Sequence, residues 1–332
     1  MQVDGYQATP YHPDLAASWD AVADAAPGGT VLHSRRFLDY HGARFRDLSL
    51  VGTKAGEAAI SAIFPLAADS SDPDLAVSHP GSSFGGIVGL SREPVSHRAF
   101  LGASARWLHA QGFRRLLYRM PPASLLRQPD DGLLPTLIRL GRVVQLDLWS
   151  VLRLDGDLTK QTYWRTEIRK AERKGLRADP VSTHQDWAAL HAVISARLAQ
   201  KHGRTIVHSV ADLIDLQQRL GLQSRGLLIR DPAGQVLAAM WFIDYGTGTL
   251  HNQYIGATDQ GLALRAPTYG LSITLEQART TGFRQFSFGR STLADGWSEN
   301  LDLLRFKSRF GAGVASQFHF ELSLDRLLES GL

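Results

Sequence analysis

QGFRRLLYR at residues 111–119 and TGFRQFSFG at residues 281–289 are the two segments on which the fold turns. Each follows an apolar-periodic helix, its glycine supplies the left-handed residue that stops a helix, and the residues after Gly-Phe-Arg alternate as in a strand. In each half an apolar meander leads to a glycine-containing loop, then to such a helix, then to the strand. The echo predicts two diverged copies of one α/β (α+β) unit, an N-terminal domain over 1–150 and a C-terminal domain over 151–332. A length of 332 residues suits two domains better than one.

Working outward, LSLVGTKAGEAAISAIFPLAA (48–68) reads as a hairpin turning at Lys54, Ala55 and Gly56. Helices are expected at about 95–111 and over LLPTLIRLG, and VVQLDLWSVLRL (143–154) as a long strand or strand pair. HQDWAALHAVISARLAQKHG (184–203) is an amphipathic helix, with a further helix at about 210–220. RGLLIRDPAGQVLAAMWFIDYGTGTLHNQYIGAT then reads as a three-strand meander with turns at Asp231-Pro-Ala-Gly and Tyr245-Gly-Thr-Gly, followed by a helix at 267–281.

The chain has no cysteine, which excludes disulfides, thiolate metal sites and a cysteine nucleophile. No apolar run approaches the ~18 residues of a membrane span. The first residues carry no secretory pattern, so a cytoplasmic monomer without a metal or bound cofactor is expected. Walker A, HExxH, G-x-S-x-G and the Rossmann glycine pattern are all missing, and the histidines are scattered without metal-ligand spacing, which argues against a metalloenzyme or a nucleotide hydrolase.

Charge is concentrated. KQTYWRTEIRKAERKGLR (160–177) carries seven Lys/Arg against two Glu, whereas the whole chain has a net charge of only +4. As a helix it would dock Trp164, Ile168, Ala171 and Gly175. Arg165, Arg169 and Arg173 would form one outward ridge, and Lys170, Lys174 and Arg177 the other. The helix dipole and pairing with Glu167 and Glu172 account for two or three of these cations but not seven, and the helix reads either as a solvated face or as a phosphate-binding one. Three further segments carry candidate chemistry. HNQYIGATDQGLALRAPTYGLSITLEQA (251–278) runs strand, glycine loop and helix N-terminus, a geometry that presents free N–H groups to an anion or a carbonyl oxygen. In RSTLADGWSENLDLLRFKSRFGA (290–312), Arg305, Lys307 and Arg309 alternate with Phe306 and Phe310, which reads as a strand with its cations on one face. HPGSSFGGI (79–87) offers His79, Ser82, Ser83 and Phe84 on a backbone that glycine lets a ligand approach.

Taken together, W-R-T-E-I-R-K-A-E-R-K-G (164–175), Y-I-G-A-T…A-P-T-Y…E-Q-A…T-G-F (254–283), F-S-F-G and L-L-R-F-K-S-R-F-G (303–311) resemble the Fem-type branch of the GNAT acyltransferase superfamily. That branch includes the BioF2-like acetyltransferase domains and the peptidoglycan-bridge aminoacyltransferases. H-G-A-R-F-R-D (41–47) and H-P-G-S-S-F-G-G (79–86) extend the likeness over nearly the whole chain. The resemblance implies two tandem GNAT-like domains, each a mixed, largely antiparallel sheet flanked by helices. The acceptor would lie in a cleft between them, with the acyl donor held mainly by the C-terminal domain. The donor is aminoacyl-tRNA in some members and acyl-CoA in others. The chain lacks the long coiled-coil arm of some bridge enzymes, and Gln260-Gly-Leu-Ala-Leu-Arg-Ala only loosely approximates the pyrophosphate loop of ordinary GNAT enzymes, which weakens the CoA reading.

The resemblance points to Lys307, beside Phe306, as the electrophilic or donor-positioning group, with Tyr254 and the first turn of the helix at Tyr269 lining the same pocket. Arg169, Lys170, Arg173, Lys174 and Arg305 are expected on the donor phosphates, and His79, Ser82, Phe84, Trp164 and His251 on the acceptor. An activated acyl ester needs only a positioned amine and a stabilised oxyanion, so no nucleophile is required. Asp259, His251 and Tyr254 are the candidate bases. The activity expected is aminoacyl transfer from charged tRNA to an amine on a small molecule or cell-wall precursor. Acyl-CoA-dependent N-acylation is the alternative, and an inactive module binding RNA or an anionic glycan is a third reading.

Overall fold

A computed structural model describes residues 5–155, 161–203 and 205–332. The chain forms two compact units, one of Met1–Leu148, Thr292–Ser298 and Ala315–Leu332, the other of Trp149–Ser291 and Glu299–Val314.

In the first unit, Tyr6–Pro10, Leu50–Lys54, Ile60–Phe64 and Val88–Gly89 form an antiparallel sheet. A second set runs Ala67–Ala68, Leu75–Val77, Arg115–Arg119 and the end of Gly313–Ser323. The helix Pro94–Ala110 lies on the core, with Phe100 so close to Gly52 that a β-carbon there would sit 2.8 Å from its ring.

The second unit places the end of Gly141–Arg153, then Gln285–Arg290, Thr249–Ala257, Val236–Asp244, Ser224–Arg230 and Arg177–Pro180 side by side. Side chains of a strand alternate between faces. Gly256, opposite Ala239 in the ladder, therefore faces the helix His184–His202, whose Ile194 Cα would lie 2.7 Å from a β-carbon at that position. The alternate residues Ala238, Met240 and Phe242 join the core under the helix Ala266–Thr280, where Gly270 makes room for Met240.

The echo at Gly-Phe-Arg is structural. Gly112 and Gly282 have φ of +93° and +88°. The Phe113 N–H donates to Leu108 O at 3.2 Å and the Phe283 N–H to Ala278 O at 2.9 Å, the long-range bond of a Schellman stop. Each stop precedes a strand that pairs in parallel, Arg115–Leu117 with Leu75–Val77 and Gln285–Ser287 with Thr249–His251. Both units thus contain a strand, a helix and a parallel strand joined over only three residue pairs.

Two local expectations are corrected. The segment Leu301–Ser308 is a helix, not a strand, because the Asn300 side chain caps it by accepting from Leu303 N at 3.1 Å, and Phe306 meets Phe310 one helical turn on. The basic helix spans Gln161–Glu172 and stops before Gly175, whose φ is +73°, so Arg177 begins a strand rather than extending a cationic ridge. Lys160 lies outside the described residues.

Candidate functional site

The basic helix Gln161–Glu172 docks through Trp164, which is fully buried and donates its indole N–H to Phe310 O at 3.1 Å. Unforeseen from the sequence, Glu167 is also buried. Its carboxylate receives Lys170 Nζ at 3.0 Å on one oxygen and Arg265 Nη1 at 3.0 Å on the other. A buried carboxylate costs several kcal/mol unless it is paired, and here both oxygens are met by cations whose other faces reach solvent. Lys170, Arg173, Lys174 and Arg265, with Leu264 and Ala171, line a pocket of about 350 Å3. Arg169 is exposed on the same helix but stands outside that lining.

The loop that supplies Arg265 is tightly built. Thr258 caps the turn Asp259–Ala263 by accepting from Gly261 N at 3.0 Å, and a β-carbon on Gly261 would lie 2.0 Å from Leu237 O. Arg265 itself has φ +61°, a left-handed conformation that costs a non-glycine residue about 1–3 kcal/mol. Its contacts to Glu167 and, at 3.3 Å, to the Tyr163 hydroxyl offset that cost. The residue immediately precedes the helix Ala266–Thr280, so pocket cations and free helix N–H groups lie together.

Lys307 projects inward from its helix and is 5% exposed. Its Nζ lies 2.9 Å from Gly289 O, 2.7 Å from Arg290 O and 2.9 Å from Ser291 Oγ, and Ser291 in turn meets Ser150 at 2.8 Å. Burial, helped by the charge of Arg290, lowers its pKa to about 7. The neutral amine is accommodated too, donating to the two carbonyls while Ser291 donates to the lone pair. The three partners stand at the end of the strand Gln285–Arg290.

That strand and Thr249–Ala257 run parallel and pair only from Thr249 to His251. Beyond His251 the second strand continues for six residues paired on its other side alone, with a bulge at Gln253. On the side of its parallel neighbour, the backbone of 252–257 therefore has no ladder partner. Tyr254 stands on this free stretch, stacked on Trp241 at 5.8 Å, with its hydroxyl 3.1 Å from His208 Nδ1. Burial raises the Tyr254 pKa to about 12, so at neutral pH it is a proton-bearing donor. His208, itself buried and edge-on to Trp241, gave no sequence signal because its partner lies 46 residues away.

The other expected residues scatter. His251 is buried between Ser287 at 3.1 Å and Gln253 at 3.2 Å, and burial lowers its pKa to about 3, so it is a poor base. Asp259 is 80% exposed, with Arg197 at 3.9 Å. Tyr269 is buried in the core of the second unit, and burial raises its pKa. Arg305 faces solvent beside Asp302, and Phe306 packs on Phe310. In the first unit, Phe84 is a core residue 5.9 Å from His33, and Ser82 is buried with its hydroxyl unpartnered. His79 lines a second pocket there.

His33, His79 and His251 are all held neutral by burial, with pKa values of about 4, 3 and 3. Their unfolded forms titrate near 6.5, so between that pH and about 4 the unfolded chain binds more protons than the folded one. Stability present above pH 6.5 is therefore lost on acidification, at up to about 1.4 kcal/mol per pH unit for each histidine. Denaturant midpoints at pH 7, 6 and 5 should fall progressively; a flat profile would show that these rings are not neutral in the fold.

No protein-family model matches the chain, and a search of curated proteins returns no significant match. Solved structures do match. FemX superposes with a TM-score of 0.72 at 10% identity, covering 98% of this chain and 99% of that one. L-PGS from Bacillus licheniformis gives 0.61 at 13% identity, covering 97% and 95%. A tandem GNAT protein from the clavulanic acid biosynthesis pathway gives 0.54 at 11% identity, covering 96% and 98%. At such identities the likeness is one of fold, and it runs nearly end to end. With two units that each repeat the strand, helix and parallel-strand motif, the chain has the tandem GNAT-like fold of the Fem type.

Proposed function

We propose that this protein is an acyltransferase that moves an aminoacyl group from aminoacyl-tRNA to an amine, forming an amide. The observation that carries the reading is the cationic pocket of Lys170, Arg173, Lys174 and Arg265 at the start of the helix Ala266–Thr280, which suits a phosphate-bearing donor. Strand Thr249–Ala257 leads from its half-paired stretch directly into that pocket's loop.

In the transfer, the neutral amine attacks the ester carbonyl, a C–N bond forms, and negative charge collects on the carbonyl oxygen. The C–O bond to the ribose then breaks, and the proton lost from nitrogen ends on the ribose oxygen. Tyr254, protonated at neutral pH, and those N–H groups of 252–257 that the ladder to Val236–Asp244 does not use are the donors for that oxyanion. Lys307 acts by holding the strand end Gly289–Ser291 in place.

The test is a single-turnover intact-mass assay of candidate amines, run in parallel with a pool of charged tRNAs and a pool of acyl-CoAs. Amide formed only with charged tRNA supports the reading. Product from acyl-CoA alone replaces the donor and keeps the transferase. Absence of product in both arms, together with RNA binding by the same preparation, would leave the inactive RNA-binding module.

A further inference from the structure

Glu167 stands where docking alone would place an apolar side chain. On the helix Gln161–Glu172 the buried residues are Trp164, Glu167 and Ala171, spaced three and four apart on one face. The carboxylate is 5% exposed, yet its partners Lys170 and Arg265 are 51% and 47% exposed. Replacing a buried ion pair by apolar residues of similar volume is often neutral or stabilising, so fold stability gives no account of this carboxylate.

Its two partners give one. One oxygen takes Lys170 Nζ at 3.0 Å and the other Arg265 Nη1 at 3.0 Å. Two cations this close repel, and without the carboxylate both long side chains would swing apart into solvent. Arg265 is held further: Nη2 donates to the Tyr163 hydroxyl at 3.3 Å, and its φ of +61° is the one positive value at a non-glycine residue among the described residues. Lysine carries three N–H donors and arginine five, more than Glu167 and Tyr163 take, so both cations keep donors for a ligand in the pocket they line.

We propose that Glu167 is a positioning residue of the phosphate pocket, fixing Lys170 and Arg265 side by side before the donor arrives and acting on the donor through them. This rests on the reading of the pocket as the donor's phosphate site. The expected sign is opposite to that of simple electrostatics. Removing a carboxylate beside the four cations of the pocket raises the local charge by one, and Coulomb attraction alone would then tighten anion binding. Removing a clamp frees two rotamer-rich side chains that the ligand must order itself, which weakens binding.

Filter binding of uncharged tRNA and titration calorimetry of coenzyme A, each with the full chain, supply the two phosphate sources. Glu167→Leu keeps the docking face apolar and Glu167→Gln keeps the side-chain shape, so either can carry the test if the other fails to fold. Each is expected to weaken whichever probe the wild type binds by about tenfold, the cost of ordering two side chains on binding. The log–log salt slope for tRNA should flatten by about 0.7–0.9 for each cation no longer held on a phosphate. Arg265→Gln should weaken binding in the wild-type background and have little further effect once Glu167 is leucine, a coupling that a merely structural residue would not produce. Tighter or unchanged binding by folded Glu167 variants, or additive effects of the two substitutions, would overturn the positioning role and leave the pocket as the donor site. A wild type that binds neither probe would overturn both.

Discussion

Replacing Lys170 and Lys174 together by alanine is expected to weaken donor binding by about ten- to a hundredfold at low salt and to flatten its salt dependence. Each phosphate neutralised by a protein cation releases condensed counterions, so log affinity falls with log salt by about 0.7–0.9 per contact. Losing two contacts should reduce the slope by roughly 1.4–1.8. Both side chains line the pocket, and the buried carboxylate of Glu167 is shared between Lys170 and Arg265, whereas Lys174 and Arg173 have no ion pair among the described residues. The fold should survive, since these residues are exposed and Trp164 carries the docking. Filter binding of charged tRNA from low to high salt reads both quantities; an unchanged slope would remove the pocket from the donor path.

Lys307→Met is expected to destabilise the protein by about 2–4 kcal/mol and to lower kcat far more than it raises KM for the amine. Gly289 O, Arg290 O and Ser291 Oγ lose their shared partner, and buried acceptors left without a donor cost about 1–3 kcal/mol each. Relief of the lysine's own desolvation returns part of this. The affected strand end follows on the three-pair parallel ladder, so on the proposed acyl-transfer reading a shift there would move the acyl group against the attacking amine, and misplacements of about 1 Å can cost a hundredfold in rate. Thermal unfolding and steady-state transfer by the folded variant check the two effects separately. Full activity in a destabilised but folded variant would remove Lys307 from the reaction and leave it a stabilising residue.

What could be read from residue order was what depends on neighbours. The Gly-Phe-Arg stops were legible because a left-handed glycine followed by an apolar residue satisfies the last carbonyls of its own helix. The meander turns at Asp231 and Tyr245 were legible because Gly234, Gly246 and Gly248 supply the positive φ that tight turns between antiparallel strands need. The strand reading of Arg305–Phe310 failed because Phe306 and Phe310 fit both a period of two and one helical turn, and the Asn300 cap decided between them. Lys170 and Lys174 were found by charge density, but Arg265, which joins them, and Glu167, which holds two of the cations, were not. Arg265 lies almost a hundred positions further along, and a carboxylate inside a basic run reads as a local partner rather than a buried hub.

By itself the sequence determined the repeated α/β unit, the absence of cysteine chemistry and the place where positive charge concentrates, because periodicity, composition and helix stops are local properties. Only the tertiary structure decided which groups are available. It turned Lys307 inward onto two carbonyls, set Tyr254 on the free side of a strand against His208, buried Trp164, and placed Glu167 between Lys170 and Arg265. Burial and partnership depend on which distant residues fold against a side chain, and they set its pKa, its free valences and hence its chemistry.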